Sequence, residues 1–267
     1  MTALLWLVPL GFIVGAFGTL IGAGGGFILV PILLLIYPHD RPEVLTSISL
    51  TVVFFNAASG SLAYACQKRI DYRSAFIFSA AAIPGAILGA MSTAAVPRHV
   101  FDGILGLLMI GGAIALIFLP RHDQHPAAGA MAAAGSQVSI SLDSARTAAG
   151  VLISAVVGYV SSLLGIGGGI VHVPALIRIL KFPVHVATAT SHMILAIMAL
   201  AGVLVHVTTG TFSVGLRRTA ALSLGVIFGA QVGAYISRRF RGRWIIRGLA
   251  IALGFVGARV LTQAFHP

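Results

Sequence analysis

Residues 15–31 read GAFGTLIGAGGGFILVP, and residues 158–174 read GYVSSLLGIGGGIVHVP. At a shift of 143 residues, every glycine of the first copy except Gly18 coincides with a glycine of the second, and Pro31 coincides with Pro174. Each glycine in a helix interior costs about 1 kcal/mol relative to alanine, so a triple glycine inside an apolar stretch predicts a helix break. Two breaks at matching positions of two halves are typical of transporters whose broken helices hold a substrate at the repeat interface.

The composition indicates an integral membrane protein. Apolar residues make up 58% of the 267 residues and charged residues 9%, and the mean hydropathy is +1.02. Soluble domains contain about 25% charged residues. A chain of this length can form about ten spans of roughly 20 residues each. The N-terminal stretch MTALLWLVPLGF has no basic region, so we expect it to be the first span rather than a cleaved signal.

The charge and the cysteine count exclude several other classes. The formal net charge is +11, but the basic residues lie between apolar runs rather than on one polar face. This placement favours loops flanking a lipid bilayer and argues against nucleic acid as a partner. Cys66 is the single cysteine of the sequence, which leaves no internal disulfide and no cysteine-based metal cluster.

The apolar stretches form two series of five. They span 4–22, 26–37, 44–66, 74–95 and 100–119, then 147–165, 169–180, 184–207, 215–237 and 245–264. An open sheet cannot satisfy its backbone in lipid, so each stretch is predicted to be helical. The long polar segment 120–146 is rich in Pro, Gly, Ala and Ser and predicts a flexible linker. We therefore expect an all-α polytopic membrane protein with a first transmembrane repeat (1–119), the linker, and a second repeat (147–267).

The positions of the basic residues predict how the repeats are oriented. If each broken segment crossed the membrane once, the repeats would be parallel and the positive-inside rule would be violated. If each crosses twice, five spans per half invert the second half and place both termini outside. The cytoplasmic set is then Lys68, Arg69, Arg73, Arg121, Arg146, Arg178, Lys181, Arg238, Arg239, Arg241, Arg243 and Arg247, and the outer set is Arg41, Arg98, Arg217, Arg218 and Arg259. This count predicts inverted repeats with a cytoplasmic linker, and it leaves Arg217, Arg218 and Arg259 without an assigned role.

The two glycine triplets predict an anion site. They are Gly24, Gly25 and Gly26 in the first half and Gly167, Gly168 and Gly169 in the second. Glycines allow backbone N–H groups to turn toward a ligand, and each loop is predicted to open a short helix, at Phe27 and at Ile170. Each helix N-terminus adds about half a positive charge, so two of them facing one cavity bind an anion without Lys or Arg. The alternative is that the glycines only permit tight helix crossings.

Polar side chains in the runs that follow the triplets complete the predicted site. These candidates are Ser49, Asn56, Thr190 and Ser191, whose hydroxyl and amide groups suit a partly dehydrated oxyanion. Ordinary interhelical hydrogen bonding is the alternative role of such groups. His192 directly follows Ser191 and is our candidate proton carrier, because an unperturbed imidazole titrates at about 6.5.

The acidic residues argue against several other activities. No Asp or Glu occurs after Asp143, and the six acids lie at or near the ends of the apolar runs. Hard cations prefer oxygen anions, so we expect no metal site and no cofactor. An intramembrane serine enzyme would need a positioned Ser and His, yet Ser59 lacks a glycine-flanked nucleophile motif. We therefore expect no catalytic residues. A passive anion channel lined by broken helices stays open as an alternative.

The paired G-x2-G-x3-G-x-GGG-x4-P segments carry a family resemblance, although Ser161 replaces one glycine of the second copy. Together with Thr190-Ser191 and the repeated Gly-Ala pairs at 229–234, they resemble the sulfite exporter TauE/SafE family of bacterial permeases over nearly the whole chain. The resemblance implies a multi-pass protein of a bacterial inner membrane that exports sulfite, organosulfonates or other small organic anions. The first half departs from the pattern, with Ile48-Ser49 where the second half has Thr190-Ser191. The oligomeric state stays open, and a homo-oligomer is compatible with the sequence.

Overall fold

The computed structural model describes residues 2–117, 140, 142–237 and 243–265, and every regular element within these residues is helical. The prediction of an all-α protein is therefore confirmed for the described part of the chain. The two series of apolar stretches correspond to α1 (Leu7–Ile21), α2 (Gly26–Ile36), α3 (Pro42–Cys66), α4 (Tyr72–Ser92) and α5 (Arg98–Ile117), then α6 (Ser144–Leu164), α7 (Gly169–Arg178), α8 (Val184–Thr208), α9 (Leu216–Ile236) and α10 (Arg243–Phe265). Short helical turns cover Thr2–Leu5, Thr93–Ala95 and Thr211–Gly215. Most of the predicted linker 120–146, and Arg238, Arg239 and Arg241, lie outside the described residues.

Five helices of the described residues are long and apolar enough to cross a membrane by length and composition. They span Pro42–Cys66, Tyr72–Ala95, Ser144–Leu164, Val184–Thr208 and Thr211–Ile236. The helices on either side of the first glycine triplet are shorter, with 15 residues in α1 and 11 in α2. At a rise of 1.5 Å per residue, α2 is about 16 Å long, or roughly half of a 30 Å hydrocarbon core.

Glycines in left-handed conformations separate α1 from α2 and α6 from α7. Helix α1 ends at Gly22 with φ of 87°, and helix α6 ends at Gly165 with φ of 71°. Helices α2 and α7 then begin at Gly26 and Gly169, one residue before the positions predicted from the sequence. The difference arises because the third glycine of each triplet has already returned to helical geometry.

Each half of the chain packs its first helix on the fourth helix of the other half. Gly225 and Gly233 of α9 lie directly against backbone carbonyls of Val8 and Ala16 in α1. Gly85 of α4 lies in the same way against a backbone carbonyl of α6. In both pairs the residue numbers increase together, so the helices run parallel, and the small residues let their backbones approach closely.

Helices α1 and α2 form one hairpin around the first glycine loop, and α6 and α7 form a second around the other loop. The helix directions show that these two hairpins enter from opposite ends of the molecule. At one end, which we call the Asp40 end, the Asp40 carboxylate pairs with Arg218 near the start of α9, so α1 begins and α2 ends there. At the other, the Asp71 end, the Asp71 carboxylate accepts a hydrogen bond from the Ile140 backbone just before α6. Leu180, just after α7, packs near Gly150 of α6 at this same end. Helices α3 and α8 pack against each other.

Candidate functional site

The two glycine loops meet in the interior of the helical bundle. An added Cβ at Gly26 of the first loop would lie 2.6 Å from the carbonyl oxygen of Gly165 in the second. An added Cβ at Gly169 would lie 2.5 Å from the Gly22 carbonyl oxygen. Positive φ angles at the middle glycines, 81° at Gly25 and 60° at Gly168, hold the chain in conformations that other residues rarely adopt. The predicted glycine positions are therefore brought together by the fold.

Apolar side chains fill the space between the two loops. An added Cβ at Gly167 would lie 2.8 Å from Cγ1 of Val53, and one at Gly24 would lie 3.3 Å from the same atom. Leu195, at the equivalent position of the other half, also lies against Gly24. Both side chains are completely buried. Buried apolar side chains therefore occupy the interface between the two loops in this structure.

An apolar cavity of about 520 Å³ lies between α5 and α7, and its lining begins at Ile170, directly after the second glycine triplet. Its wall includes Leu107, Gly111 and Val171. This wall offers an anion no hydrogen-bond donor from a side chain, so we do not assign the anion site to it.

Several backbone N–H groups of the loops are already engaged. The N–H groups of Gly22, Ala23 and Gly24 donate to the Gly18 carbonyl at 3.0, 2.9 and 3.3 Å and so close the end of α1. In the second loop, the Gly169 N–H donates to the Gly167 carbonyl at 2.7 Å.

Four other N–H groups of the triplets are not engaged in this way. Within the described residues, those of Gly25, Gly26, Gly167 and Gly168 donate to no backbone carbonyl. Unpaired N–H groups at a helix start form the donor set that anions use. Of the six predicted glycines, these four thus keep a donor, whereas Gly24 and Gly169 shape the loops.

The two predicted serines connect each half to the glycine loop of the other. Ser49 donates its hydroxyl proton to the Gly165 carbonyl at 2.6 Å, and Ser191 donates to the Gly22 carbonyl at 3.3 Å. Both serines are completely buried. In this arrangement each serine hydroxyl uses its proton in a hydrogen bond to a loop carbonyl, and its oxygen lone pairs remain available as acceptors. Thr190 faces a different partner, because its Oγ1 accepts the Asp71 backbone N–H at 3.1 Å.

Asn56 and His192 belong to one buried polar cluster beside the first loop, together with Thr19 and Tyr64. The Thr19 hydroxyl lies 3.3 Å from His192 Nε2 and donates to Asn56 Oδ1 at 3.1 Å. The Tyr64 hydroxyl donates to the Thr19 carbonyl at 2.8 Å, and its ring packs edge-on against His192. All four side chains are completely buried.

Several polar groups near the loops were not among the candidate site residues. Thr19 and Tyr64 carry no motif, so only the fold brings them to His192. Ser161 did carry a signal, since it stands where the first repeat has Gly18. Its buried hydroxyl has no hydrogen-bond partner and lies 3.0 Å from an added Cβ at Gly168. The buried hydroxyl of Thr46 near Gly165 is also without a partner.

No group of three or more His, Cys, Asp or Glu side chains within the described residues could hold a metal ion. The described acids lie instead at helix ends, where several form ion pairs: Arg41 with Glu43, Arg98 with Asp102, and Arg218 with Asp40. The described groups near the loops are uncharged donors, helix termini and two buried imidazoles, His192 beside the first loop and His172 in the first turn of α7.

The long apolar helices and the buried glycine loops define a multi-pass membrane transporter, and the comparisons agree. The family model for the sulfite exporter TauE/SafE family matches residues 7–260, and the chain belongs to this family. The "Probable membrane transporter protein YunE" of Bacillus subtilis is 32% identical over 271 residues, which cover 96% of this chain and 97% of the relative. The "Probable membrane transporter protein MJ0441" of Methanocaldococcus jannaschii is 25% identical, covering 96% and 94%. No solved structure matches the chain significantly.

Proposed function

We propose that this protein exports small anions, such as sulfite, organosulfonates or related organic acids, and binds them between its two glycine loops. The observation that carries the proposal is the apposition of the loops, at which α2 and α7 begin and the N–H groups of Gly25, Gly26, Gly167 and Gly168 have no backbone partner. Helix N-termini attract negative charge. The absence of any acid after Asp143 also favours an anion over a cation.

We further propose that the two halves are inverted repeats of five membrane segments each in a bacterial inner membrane. The support is the entry of the α1–α2 hairpin from the Asp40 end and of the α6–α7 hairpin from the Asp71 end. Opposite entry is what inversion requires. The Asp40 end is then the outside, and the linker is cytoplasmic.

The outer arginines do not change this orientation. Three of the five, Arg41, Arg98 and Arg218, pair with Glu43, Asp102 and Asp40. The positive-inside rule counts Lys and Arg rather than net charge, so these ion pairs do not alter the count. The proposed orientation rests on the larger number of basic residues on the side of the linker.

Transport in this arrangement requires the loops to part. Val53 and Leu195 occupy the space between the loops in this closed structure. The hydrogen bonds from Ser49 and Ser191 connect each loop to the other half of the chain. Movement of one hairpin against the central helices α3 and α8 would expose the free N–H groups to one side of the membrane at a time. Alternating exposure of a central site is how inverted-repeat transporters work.

We propose His192 as the proton carrier of this cycle. Its ring is buried, and Nε2 lies 3.3 Å from the hydroxyl of Thr19, one turn before the first loop. The test is anion flux as a function of pH for the wild type and His192→Gln, which keeps a donor but cannot titrate. Loss of pH dependence with anion selectivity retained supports the role. An unaltered pH profile contradicts it.

The test of the proposed function is flux in proteoliposomes with sulfite, sulfoacetate, taurine and small carboxylates. We expect at least one of the anions in this panel to be transported, and Na⁺, K⁺ and divalent cations to be excluded; taurine, a zwitterion at neutral pH, tests whether a net negative charge is needed. Saturation of the flux and acceleration by unlabelled substrate on the opposite side distinguish a carrier from an anion channel. Cation uptake with no anion flux would overturn the proposal.

A further inference from the structure

The apolar cavity between α5 and α7 opens to the outer surface of the helical bundle. Leu107 and Val171 belong to its wall, and their side chains are 63% and 38% exposed. Ile104, also on the wall, is 36% exposed. Because the chain is a multi-pass membrane protein, the surface around these residues faces the hydrocarbon of the bilayer. The cavity is therefore a recess in the lipid-facing surface.

The wall of the cavity suits a hydrocarbon chain. The residues that line it are aliphatic residues, glycines and one proline, Pro174. A buried water needs two to four polar partners, and apolar cavities without them stay dry. The volume of about 520 Å³ lies in the range of roughly 300–1,000 Å³ that is typical of pockets enclosing a small ligand. An acyl chain can fill such a recess, and burial of its methylene groups against the wall is favourable.

The face of α7 that lines the cavity ends in a basic residue. Val171, Pro174 and Arg178 are spaced by three and four residues, so they lie on one face of the helix. Arg178 is exposed, and so is Lys181 just after the helix. Both residues lie at the Asp71 end, where α7 ends. Exposed Lys and Arg next to a membrane segment attract the phosphates of anionic lipids.

The length of α7 matches the length of a lipid chain in one leaflet. From Ile170 at the start of the cavity lining to Arg178 is eight residues, or about 12 Å at 1.5 Å per residue. One leaflet contributes about 15 Å, half of a hydrocarbon core of roughly 30 Å. A lipid whose phosphate lies at Arg178 can therefore extend its acyl chain along α7 into the cavity.

We propose that this cavity binds an acyl chain of an anionic phospholipid from the leaflet at the Asp71 end, with the phosphate held by Arg178 and Lys181. A phospholipid is the occupant because it is the molecule that contacts this surface in a bilayer and combines an apolar chain with a negative charge. The bound chain packs against the helix that carries the second glycine loop. This lipid site is distinct from the proposed anion site, and it does not depend on which anion is transported.

The test measures quenching of tryptophan fluorescence by lipids with brominated acyl chains. Trp6→Phe and Trp244→Phe remove the two native tryptophans, and Leu107→Trp places a reporter on the cavity wall. Leu88→Trp is the matched reporter, because Leu88 is 58% exposed on α4 and does not line the cavity. Bilayers that mix brominated phosphatidylglycerol with unbrominated phosphatidylcholine, and the reverse mixture, give the relative binding constants of the two lipids at each reporter.

We expect phosphatidylglycerol to bind at the cavity reporter at least about fivefold more tightly than phosphatidylcholine, since each nearby Lys or Arg contributes about 1 kcal/mol. Arg178→Gln together with Lys181→Gln should remove this preference at Leu107→Trp and leave the lipid preference at Leu88→Trp unchanged. Equal binding of the two lipids at the cavity reporter, or a preference that survives loss of both charges, overturns the proposal.

A second pair of variants tests whether the chain enters the cavity. Val171→Phe narrows the cavity and should reduce quenching of Leu107→Trp by either lipid. Val156→Phe is the matched control at a 59% exposed position of α6, and it should leave the quenching unchanged. Full quenching in Val171→Phe places the chain outside the cavity and overturns the proposal. Quenching at Leu88→Trp but not at Leu107→Trp shows that protein covers the cavity, which also overturns it. Gel filtration checks that each variant is folded.

Discussion

Ser49 and Ser191 are equivalent residues that each reach the glycine loop of the opposite half. Their acceptors, the carbonyls of Gly165 and Gly22, are 116 and 169 residues away in sequence. Each hydroxyl therefore links a central helix to a loop that we expect to move. The same hydroxyls can turn to a bound anion when the loop carbonyl withdraws, because a hydroxyl proton rotates freely.

Removing the Ser49 hydroxyl should weaken anion binding. Ser49→Ala deletes a short hydrogen bond to the loop and one donor for the substrate, so we expect the apparent affinity for the transported anion to fall by about 1–2 kcal/mol. Ser191→Ala should have the smaller effect, since its bond to the loop is longer. The measurement is the concentration dependence of flux. Ser92→Ala is the matched control, because this exposed serine bonds only to a carbonyl of its own helix. Unchanged affinity in both Ser49→Ala and Ser191→Ala would show that these hydroxyls serve structure alone.

At this scale the sequence predicted the residue types but not their partners. Asn56 was predicted from its polarity in an apolar run and His192 from its place directly after Ser191, and the structure places both beside the first loop with Thr19 between them. The occupation of the loop interface by Val53 was not predictable. A valine in an apolar run does not indicate how deeply its side chain is buried or which helix it packs against.

At the scale of helices and loops, the segment 37–41 after α2 is held from two sides. Arg218 of α9 pairs with Asp40, and its guanidinium lies 3.7 Å above the Tyr37 ring. From α5, Arg98 donates to the carbonyls of Pro38 and Asp40 at 3.2 and 2.7 Å. Arg218 has no evident role from its place in the sequence, and the structure gives it the function of securing the end of the first hairpin.

Arg218→Ala should therefore destabilise the protein. We expect a loss of about 1 kcal/mol from a partly exposed ion pair and a cation–π contact, or about 2–4 °C in Tm for a chain of this size. Differential scanning fluorimetry of the purified protein measures the shift. Arg217→Ala, at the exposed neighbouring position, is the control and should leave Tm unchanged.

A charge swap separates the ion pair from other effects of the substitution. The double variant Asp40→Arg with Arg218→Asp should recover part of the stability that either single substitution loses. No difference between Arg218→Ala and Arg217→Ala, or no recovery in the swapped pair, would contradict this role of Arg218.

The helices themselves were largely predictable, because ten apolar stretches separated by turns and basic residues leave few other arrangements. Helix α3 begins at Pro42 and ends at Cys66, close to the predicted stretch 44–66. The pairing of α1 with α9 and of α4 with α6 could not be predicted, although glycines at four-residue spacing favour close packing. The spacing of glycines in the sequence shows that one face of a helix carries small residues. It does not show which helix packs against that face, and here that helix belongs to the other half of the chain.

At the scale of the whole molecule, the proposed topology places Cys66 on the cytoplasmic side. Cys66 is exposed at the end of α3, at the Asp71 end. A membrane-impermeant maleimide should therefore leave it unlabelled in intact cells and label it after the membrane is opened. In a Cys66→Ser background, Ser213→Cys, at an exposed position between α8 and α9, should label in intact cells. The reverse pattern would invert the topology, and labelling of both sites in intact cells would contradict the five-plus-five arrangement.

The central claim is that the transported anion binds at the two glycine loops. The most direct measurement compares the flux of the best-transported anion of the test panel in proteoliposomes of the wild type and of Gly25→Val, Gly168→Val and Gly111→Ala. A side chain at Gly25 or Gly168 meets a positive φ and close neighbours, whereas an added Cβ at Gly111 meets nothing within 4 Å. We predict that both loop variants insert into the membrane but lose transport, while Gly111→Ala transports normally. Normal flux in both loop variants would contradict the account and leave the glycines as packing devices.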